Sequence, residues 1–147
     1  MSLKQWADNC WLKPHKTSRQ EIDNLRAIVR RDLEDAGMSS ISDDWRFGIA
    51  YNAALKLCTV LLYAEGFRPA QNLAHYRTLQ ALSPILGAKR KVDVDYLDTC
   101  RTKRNTVEYD YVGAVTDVDA DELIEFTRGL EADVLAWLQT NHSELVP

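Results

Sequence analysis

The sequence contains few of the residues that build metal centres and disulfide frameworks. Its cysteines are Cys10, Cys58 and Cys100, an odd number at wide spacing without a C-x-x-C pair, and its three histidines are equally scattered. This pattern argues against both a disulfide framework and a zinc site. We therefore expect reduced thiols, with Cys58 and Cys100 buried, and neither a metal nor another cofactor.

Long hydrophobic runs are also missing. No apolar stretch approaches the roughly 20 residues that span a bilayer. The opening segment MSLKQWADNCW lacks the apolar stretch and small-residue cleavage site of a signal peptide. A chain of 147 residues is long enough for one domain with a core of its own. We expect a single domain over residues 1–147, in a cytoplasmic protein without membrane contact.

Positive charge is scarce overall but unevenly distributed. The net charge is −4, which argues against a protein that holds duplex nucleic acid through its overall field. The basic runs KRK at 89–91 and RTKR at 101–104 nevertheless lie close together, whereas DVDADELIE at 117–125 is strongly acidic. A local basic patch on an acidic protein is therefore compatible with the sequence.

Helical periodicity dominates what is present, and no segment alternates as a strand would. Apolar residues recur at 3–4 spacing, with a capping box in SRQE at 18–21. Trp45 and Leu73 belong to the apolar stripes and are expected to face the core. The pattern predicts an all-α, antiparallel four- to five-helix up-and-down bundle. We expect helices over 3–11, over 18–36, from after Ser42 to Gly66, over 73–82, from about Val94 to Glu108, and from Thr116 or Asp117 to Asn141. Gly37 should be left-handed at the end of the second of these helices. Pro84 and Gly87 should break the fourth, and a polar connection should precede the fifth.

One stretch, CRTKRNTVEYDY at 100–111, has a composition that an ordinary amphipathic helix does not require. Its Arg104 falls on the apolar stripe formed by Leu97, Cys100, Val107 and Tyr111. Because an unpaired guanidinium is costly to bury, two explanations remain open. Either the arginine snorkels or is satisfied inside its own subunit by backbone carbonyls or an acid such as Glu108 or Glu65, or it lines a cleft or an oligomer interface and holds an anion such as phosphate.

Tyr109 follows Arg104 by five residues. On an unbroken helix that spacing turns it about 140° away. The two side chains converge only if the helix ends or bends between them, and the turn at VGAVT lies close by.

The stretch RNTVEYDY resembles the motif region of HEPN domains (higher eukaryotes and prokaryotes nucleotide-binding). The segment SDDWRFGIAYNAALKLCTVLLYAEGFRPAQNLAHYRTLQAL is similar to that family's second helix, its glycine turn and its third helix, and WLKPHKTSRQEIDNL and the closing helix also fit. The resemblance covers nearly the whole chain. It implies a small all-α bundle, a homodimer, and binding of a nucleotide or RNA.

Active HEPN ribonucleases carry an arginine, a polar residue and a histidine four to six residues further on. The resemblance places Arg104 and Asn105 at the first two positions, whereas Tyr109 stands where the histidine would fall. A tyrosine with a pKa of about 10 is a poor base at neutral pH. His75 would be a substitute only if the fold brought it there. In some HEPN toxins a nucleotidyltransferase partner modifies a second tyrosine, whose position Tyr111 matches.

The resemblance thus implies Arg104 and Tyr109 as catalytic residues, and a ligand-binding set of Arg101, Arg104, Asn105, Tyr111 and His75. Three functions stay open. The first is a module that binds a nucleotide, RNA end or other phosphate ligand without cleaving it, and the missing histidine favours this one. The second is a metal-independent endoribonuclease of the toxin–antitoxin type. The third is a structural or interaction protein that forms a dimer.

Overall fold

The computed structural model describes residues 2–109 and 112–147, without the side chains of 107–109. The described chain is all-α, as predicted, apart from two three-residue strands. Three short helices accompany four long ones among the described residues, so the helices outnumber the predicted four to five. The elements are α1 (Leu3–Asp8), β1 (Leu12–Pro14), α2 (Arg19–Ala36), α3 (Asp43–Ala64), β2 (Phe67–Pro69), α4 (Ala74–Gln80), α5 (Leu82–Leu86), a 3₁₀ turn (Ala88–Arg90), α6 (Lys91–Tyr109), α7 (Asp117–Asn141) and a second 3₁₀ turn (Ser143–Leu145).

Helix α3 is the centre of the bundle, and α2, α7 and α6 all pack against it. Small residues such as Ala50, Ala53 and Ala54 are fully buried along it and let the neighbouring helices approach. By length and composition α3 is apolar enough to cross a membrane, yet most of it is buried inside the fold. Burial around most of the circumference is typical of the core helix of a bundle.

Three of the long helices begin at side-chain caps that are recognisable in the sequence. The Ser18 hydroxyl accepts a hydrogen bond from the backbone N–H of Glu21 at the start of α2, and Ser42 caps α3 in the same way. Thr116 and Asp119 form a reciprocal capping box at the start of α7. Each cap satisfies backbone N–H groups that have no partner within the helix. These starts were therefore predictable.

One buried carboxylate joins α2 to α3. Asp32 is 5% exposed, and its Oδ2 accepts a hydrogen bond of 2.7 Å from the Asn52 side-chain amide. Its Oδ1 accepts from Nε and Nη2 of Arg31 at 3.1 and 3.0 Å. Both oxygens are thus satisfied, which is what a buried carboxylate requires.

The prediction that no strand would occur was wrong. β1 and β2 pair antiparallel, with Leu12 opposite Pro69 and Pro14 opposite Phe67. Strands this short carry too little alternation to be recognised, and proline is tolerated here because the ribbon consists of edges only. The ribbon holds Leu12 in a small second core, which consists of Trp6, Leu12, Leu62 and Ala81.

Two local expectations about helix ends were also wrong. Gly37 is not left-handed but has φ −76°, since its N–H continues the helical pattern by donating to the carbonyls of Leu33 and Glu34. Pro84 does not break a helix but lies in the first turn of α5, where a missing N–H costs nothing.

The polar connection before α6 is shorter than expected. A 3₁₀ turn occupies Ala88–Arg90 and α6 already begins at Lys91. Arg90 stabilises this start because its guanidinium donates to Asp93 on α6 and to Asp133 on α7. Long-range ion pairs of this kind leave no trace in the local periodicity.

Two apolar side chains expected in the core lie outside it. Trp45 is 63% exposed and Leu73 is 54% exposed. Since α3 is apolar on most sides, its periodicity does not tell which position stays outward. Leu73 precedes α4 with φ 56°, outside the helix whose stripe it was assigned to. The cysteine prediction is confirmed, because all three are free and Cys58 and Cys100 are buried.

Candidate functional site

Four basic side chains from three helices lie close enough to interact electrostatically. They are Lys56 on α3, His75 at the start of α4, and Arg101 and Arg104 on α6, and we call them the basic cluster. Partial burial lowers the pKa of His75 below its usual value, and the positive charges of Arg104, Lys56 and Arg101 lower it further. The imidazole is therefore mostly neutral at pH 7. Like charges gathered in this way form a region of positive potential that attracts anions.

Helix α6 positions its part of the cluster through its own periodicity. Leu97 and Cys100 are buried and anchor the helix against the core. Arg101, Arg104 and Asn105 are spaced by three and four residues, so they share one face of the helix. All three are half-buried. Arg101 is held in place by a hydrogen bond of 2.9 Å from its Nε to Asp98 one turn earlier.

Tyr51 on α3 lies beneath this face. The side chain is 1% exposed, and the Arg104 guanidinium carbon is 5.6 Å from the centre of its ring. Burial raises the pKa of Tyr51 to about 12, although the charges of Arg104 and Arg101 act in the opposite direction. The Tyr51 hydroxyl is buried and makes no hydrogen bond to the part of the chain that the structure describes.

Aromatic rings and guanidinium groups alternate next to the cluster. The Arg77 guanidinium carbon lies 3.7 Å from the centre of the Trp11 ring and 5.9 Å from that of Tyr76. On the other side, the Arg101 guanidinium carbon is 5.8 Å from the Tyr76 ring centre. These four residues form a row that links the residue before β1 with α4 and α6 and ends at the basic cluster. All four are half-buried.

The structure brings together three of the predicted site residues and leaves two outside what it describes. Arg101, Arg104 and His75 lie in the basic cluster, and Asn105 adjoins Arg104 with no side-chain hydrogen bond among the described residues. Tyr111 lies outside the described residues, as does the side chain of Tyr109.

The backbone of α6 is helical through Tyr109. The helix therefore does not end between Arg104 and Tyr109, which was one of the two conditions for their convergence. Of the internal partners considered for Arg104, Glu65 instead hydrogen-bonds His142 at 3.1 Å, and the side chain of Glu108 is outside the described part.

His75 was among the predicted residues, but two residues of α3 at this site were not recognised from the sequence. In the sequence, nothing distinguishes Lys56 from an ordinary solvent-facing lysine or Tyr51 from an ordinary large core residue. Tyr76 is half-buried, and such aromatic side chains beside arginines are typical of stacking surfaces. Of the two basic runs, only RTKR contributes to the basic cluster, because the run at 89–91 forms ion pairs with acids of α6 and α7.

The chemistry of the cluster suits an anion. Guanidinium groups bind phosphate or carboxylate through paired N–H donors, and a neutral imidazole adds either a donor or an acceptor. In the described part of the chain, no group of three or more histidine, cysteine or acidic side chains is placed to hold a metal ion.

No family model matches this chain, and neither the curated proteins nor the solved structures contain a match. The resemblance to HEPN domains therefore stays a prediction drawn from the sequence.

Proposed function

We propose that this chain is a HEPN-like helical bundle that binds the phosphate of a nucleotide or an RNA end without cleaving it. The observation that supports this most directly is the basic cluster. Helices α3 and α6 contribute the cations Lys56, Arg101 and Arg104, and α4 adds the neutral imidazole of His75, so an anion meets several donors and a positive potential there. A role in stability alone does not require such an arrangement.

The row of Trp11, Arg77, Tyr76 and Arg101 supports a nucleotide rather than a bare anion. Aromatic rings beside arginines provide stacking surfaces for bases, and each stacked base contributes about 1–3 kcal/mol. The row leads away from the cluster. A phosphate held by the cluster would thus leave its nucleoside close to these rings.

Binding without cleavage is supported by the protonation of two tyrosines. A tyrosine at the histidine position of the motif is a weak base near neutral pH. Tyr51, which does lie at the cluster, has a pKa raised to about 12 and stays protonated. It can donate a hydrogen bond but does not accept a proton.

Calorimetric titration tests the proposal, with a 5′-phosphorylated oligoribonucleotide of about six nucleotides at low salt. We expect Arg104→Ala and Arg101→Ala each to weaken binding about tenfold or more, because each removes a charge-assisted contact. Lys103→Ala is the matched control. Lys103 lies between them on α6 but its ammonium donates to Asp119 on α7 at 2.8 Å. Equal losses in all three variants would contradict a specific site.

A ribonuclease is the second candidate, and the position of His75 favours it. The histidine missing from the motif would be replaced by one from α4, whose lowered pKa leaves it free to accept a proton at neutral pH. RNA cleavage in EDTA that His75→Gln abolishes, while binding persists, would establish this function in place of the first. Lack of cleavage under these conditions favours binding alone.

The resemblance also leads us to propose a homodimer, and a nucleotidyltransferase as a partner protein. Light scattering coupled to size-exclusion chromatography measures whether the protein is a dimer. If a nucleotidyltransferase is the partner, incubation with that enzyme and labelled ATP, followed by mass spectrometry, would find a modified Tyr111.

A further inference from the structure

We propose that the hydroxyl of Tyr51 is a ligand-binding group, which donates a hydrogen bond to a terminal phosphate held by Arg101 and Arg104. This inference rests on the proposed function and narrows its ligand to a phosphate monoester at the end of a chain. Neither the motif nor the spacing of α6 points to Tyr51, because it belongs to α3.

The first step is the state of the hydroxyl. Tyr51 is 1% exposed and its oxygen makes no hydrogen bond within the described residues. Leaving a buried polar group unsatisfied costs about 1–3 kcal/mol, and folded proteins nearly always avoid it. A phenylalanine would fill the same space without this cost. The hydroxyl is therefore a destabilising feature that needs a reason.

The second step is the behaviour of other buried polar groups in the same bundle. Thr78 and Thr127 are 4% and 0% exposed, and each hydroxyl donates at 2.8 Å to the carbonyl one turn earlier, of Ala74 and Leu123. Asp32 has partners for both oxygens. These groups are satisfied by the protein itself. Tyr51 differs from them, and it differs at the position that adjoins the basic cluster.

The third step is what surrounds the hydroxyl. The Arg104 guanidinium lies over the Tyr51 ring, and Arg104 and Arg101 are both near enough to lower its pKa against the effect of burial. A neutral donor next to two cations complements an oxyanion, which accepts hydrogen bonds and carries the opposite charge. Since burial keeps the phenol protonated, it acts as a donor.

The depth of the hydroxyl sets the class of ligand. Arg101 and Arg104 are half-buried and within reach of solvent, whereas Tyr51 is not. An internal phosphodiester has a sugar on both sides and remains at the level of the arginines. A terminal phosphate has three free oxygens and a single substituent, so one oxygen would reach the phenol once the arginine side chains shift to admit it, whereas a diester is held further out.

The test is Tyr51→Phe, because it changes stability and affinity in opposite directions. Without ligand, the variant should be as stable as the parent protein or more stable in urea denaturation, since an unsatisfied hydroxyl is removed. Its affinity for a 5′-phosphorylated oligoribonucleotide should fall about tenfold, and its affinity for inorganic phosphate should fall similarly. For the same oligomer with a 5′-hydroxyl, the affinity should not change.

Tyr63→Phe is the control, because Tyr63 also lies on α3 but stacks on His15 at 4.1 Å between ring centres. It should leave all three affinities unchanged. If Arg104→Ala weakens binding and Tyr51→Phe does not, the role of Tyr51 is refuted, the proposed function stands, and a buried water is the better explanation for the hydroxyl. If the parent protein binds none of the probes, the proposed function fails and this inference with it.

Discussion

Consecutive residues of α3 face two different kinds of surroundings. Asn52 donates to the buried carboxylate of Asp32 on α2, and both oxygens of that carboxylate are satisfied. Tyr51, one residue earlier, is 1% exposed and carries a hydroxyl with no partner among the described residues. The α2 side of the helix is therefore complete in itself, while the α6 side contains a polar group that a ligand would satisfy.

The arginines of α3 and α6 also differ in their surroundings. Arg46 near the start of α3 has a side chain that is 13% exposed, and its guanidinium donates to the Ala36 carbonyl and to Asp43 and Asp121. It links α2, α3 and α7 and has no donor group directed to a ligand site. Arg101 and Arg104 lie instead beside the other members of the basic cluster, and Arg101 also donates to Asp98. We expect stability and the proposed binding to depend on different faces, and the following substitutions test this.

The largest effect is expected on the satisfied side. Asn52→Leu leaves one oxygen of a 5% exposed carboxylate without its donor, and should lower the free energy of unfolding by about 2–3 kcal/mol. Urea denaturation measures it. Asn24→Leu, at an exposed position of α2, is the control and should change little. Phosphate affinity should be unaffected, and a loss of it would contradict the separation of the two faces.

Arg46→Leu comes next. It removes three hydrogen bonds that join helix ends, but the carboxylates of Asp43 and Asp121 are 40% and 64% exposed, so solvent already weakens those pairs. We expect a loss of about 1–2 kcal/mol in the free energy of unfolding. Arg30→Leu, at an exposed position of α2, should cost less than half as much. If Arg46→Leu abolished phosphate binding, its role would not be confined to stability.

A pH titration examines the basic cluster itself. The folded pKa of His75 is lower than its ordinary value of 6.5, so the neutral ring stabilises the fold above pH 6.5 and this stability is lost as the pH falls toward the lowered pKa. In the same window the protonated ring gains a charge that attracts anions. Sulfate should therefore bind about fivefold more tightly at low pH, an effect of roughly 1 kcal/mol.

Sulfate is the suitable probe because its charge does not change between about pH 5 and 8, whereas His75 titrates there. Fluorescence or calorimetry at several pH values measures the affinity. His75→Gln should remove the increase. An unchanged pH profile in that variant would show that the anion does not sense His75.

The smallest effect is expected for a hydroxyl that has a partner. Thr127→Val removes one hydrogen bond to the Leu123 carbonyl, which still accepts from the backbone of its own helix, and should cost about 0.5 kcal/mol in the free energy of unfolding. Thermal denaturation measures it beside Tyr51→Phe. If the free energy of unfolding falls in Thr127→Val and rises in Tyr51→Phe, the distinction between satisfied and unsatisfied hydroxyls is supported. A fall in both variants would contradict it.

The fold was predictable where its causes are local. Serine and threonine caps, apolar stripes and turn residues all act within a few positions, and they placed the starts of α2, α3 and α7 correctly. The start of α6 was missed because Arg90 reaches Asp133 on a distant helix. The ribbon of β1 and β2 was missed for the same reason, since only pairing across the chain creates it.

The site was predictable only in part. Its arginines occur in an unusual run within one helix, so Arg101 and Arg104 were recognisable from their order alone. The other members come from α3 and α4, and no local pattern distinguishes Tyr51 from an ordinary core tyrosine or His75 from an ordinary surface histidine. Their roles depend on which helices pack together, and that is decided by the whole core.

The ribbon of β1 and β2 also has a consequence for the order in which parts of the chain fold. The residues between its two strands form all of α2 and α3, so Leu12 meets Pro69 only after that helical pair has folded back on itself. Such sequence-distant contacts form late in folding. Separation of the first residues of the chain would uncover Leu62 while the central helices remain packed. Such an opening would expose apolar surface without dismantling the basic cluster of α3, α4 and α6.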